Sequence, residues 1–427
     1  MKRRTGALLL VASALVASAL GVGCASSDTN ASNPTPGTDD SDASGGDATR
    51  DALAAEDSAA DAGSDADADV EVPTCSSEGW CYTTLPAKGS FDASAAPQNW
   101  GNTVFQMSAV WIAPDGQVIA VTQGGHVLRW DHAAWSVVAV TSSALRAVWG
   151  TSATDFYVGG DGGLLHATAA GAELTLTPMT LDGWGGVKTI FGTSATDVWV
   201  GTSDGIHHLE AAGAPDPSPA FVRMQIPNQF PDGSQFQLQA AWGRGSDVWI
   251  AGMDQTWCDP ADCQSFNEMS FRKWKGGNDG ETSWDRFGLR IPYGSVSRGM
   301  STPDGVQIVV AQIVNAPGLV LRISDDETKI VPGISGIQHE GAYAWSADAV
   351  PNFNVIDGLW AGGRNDLWLA GEAGIRHFDG ANWQIARLAL VPGKPLLQSL
   401  HAIQGIVGTT DFWAVGDDVA LHRTVTP

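Results

Sequence analysis

Ala147-Val148-Trp149-Gly150, leading to Asp155-Phe156-Tyr157-Val158-Gly159, is a phrase the chain repeats. Thr189-Ile190-Phe191-Gly192 leads to Asp197-Val198-Trp199-Val200-Gly201, and Ala240-Ala241-Trp242-Gly243 to Asp247-Val248-Trp249-Ile250-Ala251-Gly252. Gly358-Leu359-Trp360 leads to Asp366-Leu367-Trp368-Leu369-Ala370-Gly371, and Ala402-Ile403 to Asp411-Phe412-Trp413-Ala414-Val415-Gly416. Two weaker copies centre on Trp111 with Asp115, and on Met300 with Asp304. Each copy is a pair of apolar, β-branched or aromatic runs about a polar turn, which predicts two short strands. A third run follows a glycine, as in Val127-Leu128-Arg129-Trp130 or Ile375-Arg376-His377-Phe378, and a fourth opens at or near an aromatic such as Trp135, Phe221, Trp284 or Trp383. The aspartates recur 40 to 62 residues apart. Four antiparallel strands at such a period specify the blades of a propeller. The fold class is all-β, a single β-propeller of seven four-stranded blades rather than six or eight.

The last copy runs out after its third strand, near Leu421-His422-Arg423. Trp80-Cys81-Tyr82-Thr83-Thr84-Leu85-Pro86 reads as a fourth strand that precedes the first copy. An open sheet edge is a liability that closure removes. The propeller is therefore expected to span 75–427 and to close by adding this N-terminal strand to the last blade.

The preceding residues are of two other kinds. Residues 1–23 begin with Lys2, Arg3 and Arg4, continue as a small and apolar run, and end at Gly21-Val22-Gly23 before Cys24. That is a secretory signal pattern. Residues 25–74 are mostly Ala, Ser, Asp, Gly, Thr and Pro, with thirteen acidic residues against the single Arg50, about half of the chain's net charge of −24. With no aromatics the segment cannot bury enough surface to offset its ordering entropy, so a disordered, charge-extended tether is expected. The acidic balance, with a pI near 4.5, leaves no basic footprint for nucleic acid.

The end of the leader resembles the signal of bacterial lipoproteins, although the usual leucine three places before the cysteine is Gly21 here. The resemblance implies acylation of Cys24, and Ala25 behind it implies retention at the outer membrane, with the lipid as the only membrane contact. The other four cysteines fall into close pairs, Cys75 with Cys81 and Cys258 with Cys263, which an oxidising compartment would turn into two local disulfides. Neither pair has Cys-x-x-Cys spacing, so no zinc site is expected.

The Trp-Gly…Asp-Val-Trp-x-x-Gly phrase resembles a large group of exported bacterial propellers distantly related to Asp-box proteins. The resemblance covers nearly all of residues 80–427 and implies the fold; many unrelated functions use it. Complete Asp-boxes are absent, because Ser203-Asp204-Gly205 runs into Ile206-His207-His208. Leu289-Arg290-Ile291-Pro292 is similar to the arginine motif of sialidases, but other repeats end their fourth strand the same way, as in Met224-Gln225-Ile226-Pro227.

One polar position recurs on the third strand: Arg129, His166, His208, Lys273, Arg322, His377 and His422. It recurs with an aspartate at the second strand: Asp115, Asp155, Asp197, Asp247, Asp304, Asp366 and Asp411. A property repeated once per blade is expected to tie each blade together through hydrogen bonds. No catalytic, cofactor-binding or metal-binding residue is assigned. Trp257, Tyr343 and Trp345 fall outside the repeat, in what read as long loops on one face, and are the expected partner surface. The leading expectation is a binding or scaffold module of the cell envelope for protein or polysaccharide; the alternative is a sialidase-like carbohydrate-active hydrolase or lyase.

Overall fold

A computed structural model describes residues 75–88, 90, 105–171, 173–183, 185–210, 220–226, 235–255, 268–289, 294–313, 316–334, 336–390 and 396–424. They form seven antiparallel sheets. Blade one is Met107–Ile112, Val118–Thr122, His126–Trp130 and Trp135–Val140; blade two is Leu145–Ser152, Asp155–Gly160, Gly163–Ala170 and Glu173–Met179. Blade three is Val187–Ser194, Asp197–Thr202, Ile206–Glu210 and Ala220–Arg223; blade four is Gln235–Arg244, Asp247–Gln255, Glu268–Trp274 and Trp284–Leu289. Blade five is Gly294–Ser301, Gln307–Ile313, Leu319–Ser324 and Tyr343–Ala349, with a fifth short strand, Gln338–Glu340, on its outer edge. Blade six is Ile356–Gly363, Asp366–Gly371, Gly374–Phe378 and Trp383–Ile385. Blade seven is Leu400–Gly405, Phe412–Gly416 and Val419–Arg423, and its fourth strand is Trp80–Tyr82.

The seam lies in blade seven. Trp80 pairs with Arg423, Cys81 with His422 and Tyr82 with Leu421. A disulfide joins Cys75 to Cys81, and Thr83 bonds back to the Ala420 carbonyl. The first strands touch their neighbours in order round the ring, and Leu400–Gly405 meets Met107–Ile112 to close it.

Packing explains the sequence phrase. The second strand of each blade is sandwiched on both faces by the adjoining blades. It therefore reads as a continuous apolar run rather than an alternating one, as in Asp197–Thr202, where every residue after the aspartate is buried. The core divides into seven clusters, one for each blade-to-blade interface. The glycine five residues after the aspartate has a steric cause. A Cβ on Gly160, Gly252, Gly371 or Gly416 would stand within about 2 Å of the carbonyl oxygen of Ala144, Gln237, Val355 or Ser399 respectively. Each of these carbonyls lies one or two residues before a β-bulge in the adjoining first strand, where an extra residue tightens the local path.

Candidate functional site

The bulge recurs at one place in all seven first strands, and its extra residue is Ser108, Arg146, Lys188, Gln239, Ser297, Asp357 and His401 in blade order. A bulged residue is released from strict in-out alternation and can be aimed elsewhere. Most of these residues line the mouth of the axial channel, together with Arg298 and with Gln123, Asp161 and Ser203 from the turns after the second strands. The mouth encloses about 560 Å³. Below it the channel tightens to about 160 Å³ between small and apolar residues such as Ala109, Ala147, Ala240, Gly358 and Ala402.

Charge is distributed unevenly round this mouth. Blades two, three and five bring Arg146, Lys188 and Arg298; blades six and seven bring Asp357 and His401. Arg146 is matched: its Nε and Nη2 donate to the two carboxylate oxygens of Asp161 at 2.9 and 3.1 Å. That fork raises the arginine pKa and lowers that of the aspartate. Among the described residues Lys188 donates only to the Leu238 carbonyl, at 3.4 Å, and its pKa is pushed down by burial first and by Arg146 second. Arg298 donates through Nε to the Asp357 carbonyl at 2.8 Å and through Nη1 to its neighbour Ser297 at 3.3 Å. Water reaches Arg298 through the open mouth, yet protein surrounds it. That burial lowers its pKa, with Asp357 opposing. His401 bridges two carboxylates, Asp417 at 2.9 Å and Asp357 at 3.4 Å. Its pKa is raised, chiefly by the Asp357 bond, against the pull of burial.

The repeated polar position on the third strand lies away from the mouth, near the start of each second strand. His166, His208, His377 and His422 bond Asp155, Asp197, Asp366 and Asp411 at 2.6, 3.0, 2.9 and 2.8 Å. Each ring stacks on an aromatic of the second strand, Tyr157, Trp199, Trp368 or Trp413. Lys273 meets Asp247 at 3.2 Å in the same way. These are ties within blades. Two blades depart from the expected pattern. Asp115 and Asp304 sit in the turn before the strand, and Arg322 pairs instead with Asp348 at 2.6 Å. No group of three or more metal-capable side chains exists among the described residues.

Two expectations about the partner surface need correction. Tyr343 and Trp345 are not on a loop after a fourth strand; they lie in the fourth strand of blade five, at its start. Tyr343 is only 8% exposed and packs on Phe287 at 4.9 Å and Trp249 at 5.4 Å between ring centres. Burial and three nearby aspartates push its pKa to about 12. The cause of the misreading is an unusually long connection from the third strand, which carries Glu327–Lys329 and Gln338–Glu340 before the fourth strand begins. The repeat spacing predicts a second-to-third connection in blade four from Met253 to Ser270. Strand pairing in fact continues to Asp254 opposite Glu268, so the blade extends past its neighbours at the mouth side. Buried Asp254 fastens that extension, held by Arg286 at 2.6 Å and Arg272 at 3.3 Å. The Arg272 guanidinium also lies over the Phe236 ring. Trp257, Cys258, Cys263, Arg290 and Cys24 lie outside the described residues.

Sequence reasoning missed the mouth. Its signal was present as the residue three places before the first-strand aromatic, or before Met300 and Gln404 in blades five and seven, which reads Ser108, Arg146, Lys188, Gln239, Ser297, Asp357 and His401 while its neighbours repeat. A position that varies in chemistry within a conserved repeat phrase is where a scaffold carries something other than scaffold.

No protein-family model matches the chain, and no curated protein does. Solved structures do resemble it. YCF48 bound to D1 peptide shares 13% identity over 83% of this chain and 100% of that one, with a TM-score of 0.51. YCF48 from Cyanidioschyzon merolae shares 13% over 81% and 98%, with a TM-score of 0.54. The Cps50 (Swd1) β-propeller domain of Myceliophteria thermophila shares 9% over 76% and 99%, with a TM-score of 0.51. At such identities the likeness is one of fold, and the fold is a seven-bladed β-propeller.

Proposed function

We propose that this chain is an exported, lipid-anchored binding module that engages a protein partner through the face carrying the axial mouth. The observation behind this reading is the ring of seven bulged residues. Seven blades built on one phrase present different polar side chains at one common position, and six of those bulged side chains line the mouth. Function on a rigid scaffold concentrates where the chain is released from packing duty. The strands of blade four extend on the mouth side, and the proposed partner surface includes Trp257, which lies outside the described residues. Residues 1–23 act as the leader in this reading, and Cys24 carries the lipid. Residues 25–74 form the spacer, with outer-membrane retention following from Ala25. Cys75, where the described propeller residues begin, is joined to Cys81 on the outermost strand of blade seven. No described helix is long and apolar enough to cross a membrane. The solved complex of a similarly folded propeller with a peptide accords with a protein ligand.

Photo-crosslinking in the producing cell tests this. A crosslinking residue at Gln123 or Ser203, on the mouth, is expected to give a discrete protein adduct; one at Ala195 or Gln384, in a first-to-second turn and an outer strand, is not. Adducts from the second pair alone, or from neither pair, would remove the reading.

A further inference from the structure

The residue just after the bulge faces the narrowest part of the ring. In six blades it is small: Ala109, Ala147, Thr189, Ala240, Gly358 and Ala402. In blade five it is Arg298. A long cationic side chain thus stands in a ring of small residues, at the bottom of the mouth, where the other six blades leave room for it. Its two hydrogen bonds go to main-chain carbonyls, and among the described residues no carboxylate lies within 4 Å of its guanidinium. Lys188, from blade three, is in the same state. Arg146 is not, since Asp161 already neutralises it.

Resting on the mouth-face reading above, we propose that Arg298 and Lys188 form a receptor for the carboxylate of an acidic peptide side chain that enters the axial mouth. Both cations are exposed to the mouth and neither forms an ion pair among the described residues, so an incoming carboxylate can gain charge-assisted bonds from both. The low-dielectric walls also concentrate the field of the two cations in an otherwise acidic protein, which selects the sign of the ligand. About 560 Å³ accommodates a side chain or a short extended segment. The two cations are reached from the mouth, which Arg298 and Lys188 both line. Ser108, Gln123, Ser203 and Gln239 line the walls and can bond a peptide backbone. Among the described residues no aromatic ring lines the mouth, and a peptide carboxylate needs none.

Isothermal titration of the full-length protein in detergent tests the receptor. The probes are an acetylated, amidated hexaglutamate, hexalysine, inorganic phosphate and an oligogalacturonate. Hexaglutamate is expected to bind in low salt and to weaken as salt rises. Arg298→Gln should lower its affinity at least tenfold and Lys188→Gln several-fold. Lys275→Gln, at an exposed cation just after the third strand of blade four and away from the mouth, should change it less than twofold. Gln239→Glu, which places a competing carboxylate in the mouth without opening a cavity, should weaken binding as Arg298→Gln does. Circular dichroism melting checks that each variant folds. The receptor is overturned by no hexaglutamate binding at millimolar concentration, by undiminished binding to folded Arg298→Gln and Gln239→Glu, or by tighter binding of phosphate or oligogalacturonate. Crosslinked adducts from Gln123 or Ser203 that persist in Arg298→Gln, with no hexaglutamate binding, would end the carboxylate receptor and leave the docking face standing.

Discussion

Trp80→Ala should loosen the propeller at its seam. Trp80 is fully buried, packed edge-on to Trp368 at 6.0 Å and near Phe412 at 6.4 Å, in the cluster between blades six and seven. It belongs to a three-residue strand that joins the blade from the far end of the chain. A tryptophan buries about 150–250 Å², which at about 25 cal/mol per Å² is worth roughly 4–6 kcal/mol. Measured tryptophan truncations fall at about 3–5 kcal/mol, so about 4 is the working figure. For a domain of about 350 residues the unfolding entropy is about 0.7 kcal/mol/K at the midpoint, so the melting temperature should fall by about 5–6 °C. Leu397→Ala, at an 86% exposed position, should shift it by less than about 1 °C. Differential scanning calorimetry at one pH and protein concentration makes the comparison. If Trp80→Ala melts within 1 °C of Leu397→Ala, the seam strand carries little of the fold's stability and the closure argument fails.

Asp254→Ala should destabilise by about 3–5 kcal/mol, because it strips the carboxylate from buried Arg272; a melting point equal to the parent's would mean that the blade-four extension is held by other contacts. His401 tests the sign of a pH effect. Its folded pKa is raised above the ordinary 6.5, so its contribution is complete below that value and is lost as pH climbs through the folded value. The parent should therefore out-melt His401→Gln by more at pH 5.5 than at pH 9, and a gap that grows with pH would contradict the Asp357–His401–Asp417 assignment. Cys24→Ala should move the protein from the detergent phase to the soluble fraction, and an intact mass showing an unmodified Cys24 in the parent would remove the anchor.

The blades were legible along the chain. Their strands are short, their hydrophobic phrase is local, and the phrase recurs, so Trp199 in its buried strand and Asp197 bonded to His208 were legible one repeat at a time. The partnerless last copy and the stray strand at Trp80 were legible too, since a missing strand and a spare one match without coordinates. Tyr343 was misread because a third-to-fourth connection longer than in the other blades hides where the fourth strand starts, and an aromatic is buried or exposed according to what lies over it. Only the tertiary structure decided the mouth. Arg146, Lys188 and Arg298 are up to 152 residues apart and look like isolated surface cations in a chain of net charge −24. They meet because seven bulges point at one axis, and an axis exists only once the ring has closed. The net charge concealed them for a related reason: it sums acids along residues 25–74 with the rest of the chain, whereas a ligand feels the field of the few charges that the folded ring brings within a Debye length of one another.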